Sequence, residues 1–164
     1  MAEHRRQGRQ ARCLVITVSD SRTPETDRSG DKMAELLVGG GHLVAERLLI
    51  PDEPDQIRSA IAGGLENPEI DAVLTNGGTG IAPRDLTTDV VAEILDQPLD
   101  GFGELFRSLS FAEIGSAAML SRAIGGIAGK TLVFSLPGST KAVDLGMSKL
   151  VVPELGHLIG LMRS

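Results

Sequence analysis

Short apolar runs alternate along this chain with stretches whose apolar residues recur at helical spacing. The runs predict four strands, over residues 12–18, 43–50, 70–74 and 130–135. The helical spacing predicts helices over residues 31–38, 54–65 and 87–95, and a C-terminal helix from residue 141 that Pro153 kinks or restarts. Alternating strands and helices favour a parallel sheet with helices on both faces. We therefore expect an α/β fold, a three-layer sandwich with a mostly parallel sheet.

The pattern leaves the structure of two segments open. Three of the four phenylalanines fall within residues 102–111, and Phe102, Phe106 and Leu109 share one helical face. This face predicts either a core-facing helix or an aromatic contact between subunits. Residues 116–127 are rich in small side chains, and their pattern fits a helix and an extended chain equally well.

A glycine-rich stretch, Thr75 to Asp85, follows the third predicted strand and precedes the third predicted helix. Its glycines leave backbone N–H groups uncovered, and such groups form an anion-binding concavity beside a helix N-terminus. The stretch adds hydroxyls (Thr75, Thr79), a cation (Arg84) and a carboxylate (Asp85) that could hold Mg²⁺. The alternative is an ordinary turn in which Asp85 or Thr87 caps the helix.

In a parallel sheet the carboxyl ends of the strands lie at one edge, and ligands bind there. The four predicted strand ends carry glycines, hydroxyls and carboxylates, in Ser19-Asp20-Ser21, Pro51-Asp52-Glu53, Thr75 to Asp85, and Leu136-Pro137-Gly138-Ser139. Their convergence favours phosphate binding at this edge more strongly than any single loop does.

The composition, with 41% hydrophobic and 23% charged residues, is ordinary for a soluble globular protein. No apolar run approaches the roughly 20 residues of a membrane-spanning helix. Because the N-terminus is rich in arginine, we predict a flexible basic arm over residues 1–11 and a single domain over residues 12–164. The rest of the chain is acidic and lacks Trp and Tyr, which argues against nucleic-acid binding. The lone Cys13 fits a reducing cytoplasm.

Several familiar motifs are absent. Gly80 is followed by Ile81 where a Walker A motif needs lysine, Pro83 occupies the third glycine position of a dinucleotide fingerprint, and no serine lies in a G-x-S-x-G elbow. A glycine cradle and two strand-end carboxylates, Asp52 and Asp85, remain. Such groups serve phosphoryl and nucleotidyl transfer. For Asp52 the alternative is helix capping ahead of Pro54.

Four motifs, in the same order, resemble the signatures of the MogA/MoaB family of molybdenum cofactor biosynthesis proteins. They are Val18-Ser19-Asp20-Ser21-Arg22-Thr23, Asp27-x-Ser29-Gly30, Thr75-Asn76-Gly77-Gly78-Thr79-Gly80 with Arg84-Asp85-x-Thr87, and Leu136-Pro137-Gly138-Ser139. The likeness spans roughly residues 12–160, and the segment from Gly101 to Arg107 with Ile114-Gly115 is closer to the MoaB branch. Asn76 stands where a second threonine is more usual.

The resemblance implies a molybdopterin-binding domain, a homotrimer or a hexamer of two trimers, and Mg²⁺- and ATP-dependent adenylylation of molybdopterin with release of pyrophosphate. By position it implies that Asp85 and Asp52 are the catalytic, metal-associated carboxylates. The implied nucleotide- and pterin-binding residues are Ser19, Asp20, Ser21, Asp27, Gly30, Thr75, Asn76, Gly77, Gly78, Thr79, Gly80, Arg84, Ser135, Pro137, Gly138 and Ser139. The alternatives are a non-catalytic molybdopterin-binding or assembly protein of the same pathway, acting with its other proteins, and a nucleotide-binding module unrelated to molybdenum.

Overall fold

In the computed structural model, which describes residues 8–164, the sheet has six strands: β1 (Arg12–Val18), β2 (Leu43–Ile50), β3 (Ala72–Asn76), β4 (Gln97–Pro98), β5 (Ile124–Ala128) and β6 (Thr131–Leu136). Their order across the sheet is β2-β1-β3-β6-β5-β4. The first four strands in this order are parallel, whereas β5 runs antiparallel to both β6 and β4. The predicted α/β fold with a mostly parallel sheet is therefore confirmed.

Six α-helices cover the two faces of the sheet: α1 (Arg28–Gly39), α2 (Pro54–Glu66), α3 (Thr87–Ile94), α4 (Asp100–Ile114), α5 (Thr140–Gly146) and α6 (Val152–Met162). Helices α2 and α3 pack on one face, and the other four pack on the opposite face. Because successive side chains of a strand point to opposite faces, Cys13 and Val15 of β1 join one core cluster, and Leu14 and Ile16 join the other. Burial on both sides explains why this strand is continuously apolar.

Helix α4 faces the core, as one of the two interpretations predicted. Phe102 and Phe106 are both buried, and Leu109 is half-buried. The ring of Phe102 meets that of Phe134 in β6 edge-on, with 4.9 Å between the ring centres. Such an arrangement adds to the free energy of burial, and it fixes α4 against the antiparallel part of the sheet.

The structure adds the short strand β4, begins α1 earlier than predicted, and also differs from the predicted elements at β3 and in the segment that the pattern left open. Strand β3 begins and ends two residues later than predicted, so Thr75 and Asn76 belong to the strand and not to the loop. The segment that the pattern left open forms a 3₁₀-helix (Gly115–Leu120) followed by β5. At the C-terminus a π-helical turn (Met147–Val151) separates α5 from α6, as expected ahead of Pro153, which lacks a backbone N–H group.

Most of the predicted basic arm, residues 1–7, lies outside the described residues. The end of the arm packs against the domain: Ala11 is fully buried, and the side chain of Gln10 donates a hydrogen bond to the carbonyl oxygen of Gly41 at 3.0 Å. Within residues 8–164, no helix is both long enough and apolar enough to span a membrane.

We expect His42 to make the stability of the fold sensitive to acid. This side chain is buried, and its Nδ1 accepts a hydrogen bond from the backbone N–H of Ala11 at 3.0 Å. Burial lowers the pKa of His42 below its ordinary value of 6.5. The unfolded chain therefore binds a proton at a higher pH than the folded chain does. The free energy of unfolding should fall as the pH drops from about 6.5 through the lowered pKa, and this contribution should be constant at lower pH.

Urea unfolding of the wild type and of His42→Gln, at intervals between pH 7.5 and pH 5, measures this effect. The difference in stability between the two proteins should change in favour of His42→Gln on acidification, because glutamine does not titrate. Parallel pH profiles for the two proteins would contradict the prediction.

Candidate functional site

A cleft of about 550 Å³ lies at the carboxyl ends of the parallel strands, where the sequence predicted a site. We call it the strand-end cleft. Its walls come from segments that follow all four parallel strands, and from the end of the 3₁₀-helix. The residues that line it are Val18, Ser19, Asp20, Ser21, Arg22, Asp52, Gly77, Gly78, Thr79, Gly80, Asp85, Leu120, Ser121, Pro137 and Gly138.

Two glycines allow the backbone to turn sharply out of β3. Gly77 and Gly78 have φ values of +98° and +74°, in the region that side chains with a Cβ rarely adopt. The Gly77 N–H donates to the carbonyl oxygen of Leu136 at 3.0 Å, and the Thr87 N–H donates to that of Gly78 at 3.1 Å. A Cβ on Gly77 would lie 2.1 Å from the Val18 carbonyl oxygen. The loop therefore lies directly against β1, with its backbone on the wall of the cleft.

Helix α3 begins behind this loop without a side-chain cap. Its N-cap position is Leu86, so neither Asp85 nor Thr87 caps the helix, and the alternative role for Asp85 is wrong. Thr87 is fully buried, and within residues 8–164 its Oγ1 has no hydrogen-bond partner. A Cβ on Gly78 would lie 2.2 Å from that oxygen. The loop thus packs tightly over a polar atom at the positive end of a helix.

Three carboxylates, those of Asp20, Asp52 and Asp85, line the cleft. Helix α2 has Glu53 as its N-cap without a side-chain cap bond, so Asp52 does not cap that helix. Burial raises the pKa of Asp52, and the neighbouring charges of Asp20 and Asp85 raise it further. One oxygen of Asp85 accepts a hydrogen bond from the Ala82 N–H at 2.9 Å. This bond fixes the carboxylate beside Gly80, where a Cβ would lie 2.7 Å from Asp85 Oδ2.

Arg84 links the ends of three strands instead of lining the cleft. Its guanidinium donates to both oxygens of Asp20, at 2.7 and 3.1 Å, and to Glu53 at 3.1 Å. Hydrogen bonding to Asp20 and then to Glu53 raises the pKa of Arg84, while hydrogen bonding to Arg84 is the main cause that lowers the pKa of Asp20. Asp20 also accepts from the Asp52 N–H at 3.0 Å, so Arg84 and Asp20 together position the segment that carries Asp52.

Six of the sequence-predicted binding residues lie behind or beside the cleft wall. Thr75 and Ser135 are fully buried, and their hydroxyls share a hydrogen bond of 2.6 Å between neighbouring strands. The Asn76 side chain donates to Thr17 at 3.0 Å. The other three are in the first turns of helices: Asp27 and Ser139 cap α1 and α5 through bonds to Gly30 N and Ala142 N, and Gly30 is crowded by Asp27 and Thr17. These residues support the cleft, whereas Ser19, Asp20, Ser21, Asp52, Gly77–Gly80, Asp85, Pro137 and Gly138 form its surface.

Four residues that line the cleft are not among the predicted site residues: Val18, Arg22, Leu120 and Ser121. Arg22 donates to Asn76 Oδ1 at 3.3 Å and to the Gly138 carbonyl oxygen at 2.5 Å, and so joins three of the strand ends. Its position directly after the polar run that ends β1 was a usable signal. Leu120 and Ser121 enter the cleft from a segment far along the chain, and nothing in the local sequence indicates that.

Comparison with known proteins shows the family to which the chain belongs. Residues 14–157 match the family described as "Probable molybdopterin binding domain". The chain is 50% identical over 160 residues to molybdenum cofactor biosynthesis protein B of Bacillus cereus, covering 96% of this chain and 95% of that protein. The chain belongs to the MoaB/MogA family.

Solved structures of this family have the same fold. A crystal structure of a molybdenum cofactor biosynthesis protein B superimposes with a TM-score of 0.92 at 49% identity, over 95% of this chain and 98% of that one. The tungsten cofactor synthesizing protein MoaB from Pyrococcus furiosus superimposes with a TM-score of 0.84 at 35% identity, over 95% of this chain and 99% of that one. The chain is thus similar to proteins of the MoaB branch, in sequence and in fold, over nearly its whole length.

The acidic groups of the strand-end cleft were compared with the ligands that a Mg²⁺ ion uses. In the described part of the chain, no three His, Cys, Asp or Glu side chains are grouped so as to hold a metal ion. Mg²⁺, however, is commonly held by one or two carboxylates together with waters and substrate phosphates. Asp52 and Asp85 line the same cleft and are near enough for one charge to affect the other. These donors therefore fit a Mg²⁺ that is carried in with phosphate groups.

Proposed function

We propose that this MoaB/MogA family member catalyses the Mg²⁺- and ATP-dependent adenylylation of molybdopterin, with release of pyrophosphate. The observation that carries the proposal is the placement of Asp52 and Asp85 in the same cleft as the backbone of Gly77–Gly80. A chain of phosphates bound along the loop would have both carboxylates beside it. Nucleotidyl transfer needs this combination, because positioning and charge stabilisation supply most of its catalysis.

In the proposed reaction the terminal phosphate of molybdopterin attacks the α-phosphorus of ATP. A new P–O bond forms to the substrate phosphate, and the bond between the α-phosphorus and the bridging oxygen breaks, so that pyrophosphate leaves with that oxygen and its electron pair. A phosphate monoester is largely dianionic at neutral pH, since its second pKa is about 6. The nucleophile therefore needs no base from the protein.

The residues of the cleft would then bind and orient the two substrates. Backbone N–H groups of the glycine loop would donate to phosphate oxygens, assisted by the N-terminus of α3 behind them. Asp52 and Asp85 would hold Mg²⁺, and the bound ion would neutralise part of the negative charge of the phosphates. Ser19, Ser21 and Gly138, which line the same cleft, would contact the second substrate. Cys13 is buried, and burial raises the pKa of its thiol to about 12, so the proposed reaction gives this thiol no role.

A turnover assay tests the proposal. Purified protein is incubated with molybdopterin, ATP and MgCl₂, and both adenylylated pterin and pyrophosphate are followed. Equal amounts of the two products support the transferase. Molybdopterin binding by calorimetry without product would overturn it in favour of a non-catalytic pterin-binding protein of the pathway. Binding of ATP without any binding of pterin would contradict both.

We also propose that the chain is a homo-oligomer, a trimer or a hexamer of two trimers. Four large apolar side chains within residues 111–120 are 46–77% exposed: Phe111, Ile114, Met119 and Leu120. So many exposed apolar groups in one short segment are typical of an interface. Because Leu120 also lines the strand-end cleft, this surface is adjacent to the proposed site.

We expect the double variant Phe111→Glu/Ile114→Glu to lower the molar mass in size-exclusion chromatography with light scattering, because association would bury unpaired carboxylates and bring like charges together. Val38→Glu is the matched control, since Val38 is 61% exposed and lies on α1. A monomeric wild type, or an unchanged mass for the double variant, would contradict the proposed interface.

A further inference from the structure

Arg122 lies between the 3₁₀-helix and β5, in the segment whose structure the sequence left open. Its backbone N–H donates to the carbonyl oxygen of Thr79 at 2.8 Å, and its own carbonyl accepts from the Thr88 hydroxyl at 2.9 Å. The residue is therefore tied through its main chain to the glycine loop on one side and to the first turn of α3 on the other.

The side chain of Arg122 connects the carbonyl groups on either side of the exposed residues 81–84. Its Nε donates to the Gly80 carbonyl oxygen at 2.9 Å, and its Nη2 donates to that of Asp85 at 2.7 Å. Both terminal nitrogens also reach the carboxylate of Asp89, at 3.0 and 3.3 Å. A planar guanidinium with a two-point carboxylate partner has a fixed orientation, so its remaining donors have fixed directions as well.

Between these two carbonyls, Arg84 anchors the middle of the segment to Asp20 and Glu53, but it does not contact Gly80 or the Asp85 main chain. Positions 81–84 are exposed, and the bonds within the segment are the short local ones between Ala82 and Asp85. The Arg122 side chain is therefore the one that bonds, within residues 8–164, to the main chain at both Gly80 and Asp85, and so it sets the separation between the cradle and the carboxylate. Arg122 itself lines a neighbouring cavity of about 510 Å³ and not the strand-end cleft, so it acts on the site through the loop.

We propose that Arg122 is a positioning residue, which holds Gly80 and Asp85 at the separation that lets the glycine cradle and the carboxylate engage one phosphate chain. The expected effect of Arg122 on turnover rests on the proposed function. Its expected effect on the order of the loop does not, because that effect is measured in the protein without substrates.

Hydrogen exchange with mass spectrometry tests the loop directly, in the full-length protein without substrates. In Arg122→Ala, peptides covering residues 79–86 should exchange at least about 10-fold faster, because two bonds that bridge the segment are lost. Arg58→Ala is the matched control. Arg58 is an exposed arginine that likewise pairs with carboxylates, Asp55 and Glu93, but it lies on α2 and connects that helix to α3 away from the loop. Faster exchange spread over the whole chain, or none in the loop, would overturn the proposal.

Kinetics provide the readout that a purely structural role would not change. In Arg122→Ala we expect kcat to fall about 100-fold with KM for ATP within about 3-fold, because a displaced reacting group costs rate more than binding. Arg122→Lys should recover only part of kcat, since an ammonium cannot reproduce the two-point bond to Asp89. A KM effect alone, or full recovery by lysine, would overturn the positioning role.

If the wild type has no turnover, the proposed function fails, and the exchange measurement still decides the role of Arg122 in the loop. If Arg122→Ala does not fold, the exchange and kinetic comparisons are made with Arg122→Lys.

Discussion

Asp85→Asn should reduce kcat for adenylylation by about 100- to 1,000-fold while leaving ATP binding within a few-fold of the wild type. The amide keeps an oxygen that can accept the hydrogen bond from Ala82, so the loop beside Gly80 keeps its shape. What is lost is a negative charge at the point where the proposed Mg²⁺ and the phosphates meet. Turnover is followed by pyrophosphate release, and ATP binding by calorimetry without pterin.

Asp55→Asn serves as the control for this variant. Asp55 has the same chemistry, but it is exposed in the first turn of α2, where it pairs with Arg58. Its replacement should leave kcat unchanged. If Asp85→Asn turns over at the wild-type rate, Asp85 has no part in the reaction. If it loses ATP binding together with turnover, its charge serves ground-state binding and not the chemical step.

Gly77→Ala should lower the free energy of unfolding by at least about 3 kcal/mol, because the new Cβ meets backbone and also strains the chain. At Gly77 that Cβ would lie 2.1 Å from the Val18 carbonyl oxygen, in a residue with φ of +98°. A backbone atom of a central strand cannot move aside as a flexible side chain would. In a chain of this length the melting temperature should fall by roughly 6–12 °C.

The same variant should also lose phosphate binding, since the loop must move away from β1 to admit the methyl group. Calorimetry with ATP and with pyrophosphate measures that loss. Gly63→Ala is the matched control: Gly63 lies in α2, a Cβ there meets nothing within 4 Å, and the change should stabilise by up to about 1 kcal/mol. Equal effects of the two substitutions would show that the tight contact of the loop with β1 is not a constraint.

The sequence by itself determined the four parallel strands, the helices that follow them and the edge of the sheet where the site lies. Strand β1 could be recognised because burial on both faces removes alternation and leaves a continuous apolar run. The polar segments after the four parallel strands, from Ser19 to Gly138, could be assigned to one edge because parallel strands end on the same side. These are consequences of local pattern and of the geometry of parallel sheets.

Only the tertiary structure decided which polar side chains enter the cleft. Thr75 and Ser135 were predicted to bind ligand, but the register of β3 with β6 places them opposite each other, and their hydroxyls bond inside the sheet. Register is a long-range property, and a shift of one residue reverses the direction of every side chain in a strand. Arg122 and Ser121 come from a segment whose local preference is weak, so packing against the glycine loop fixes their positions.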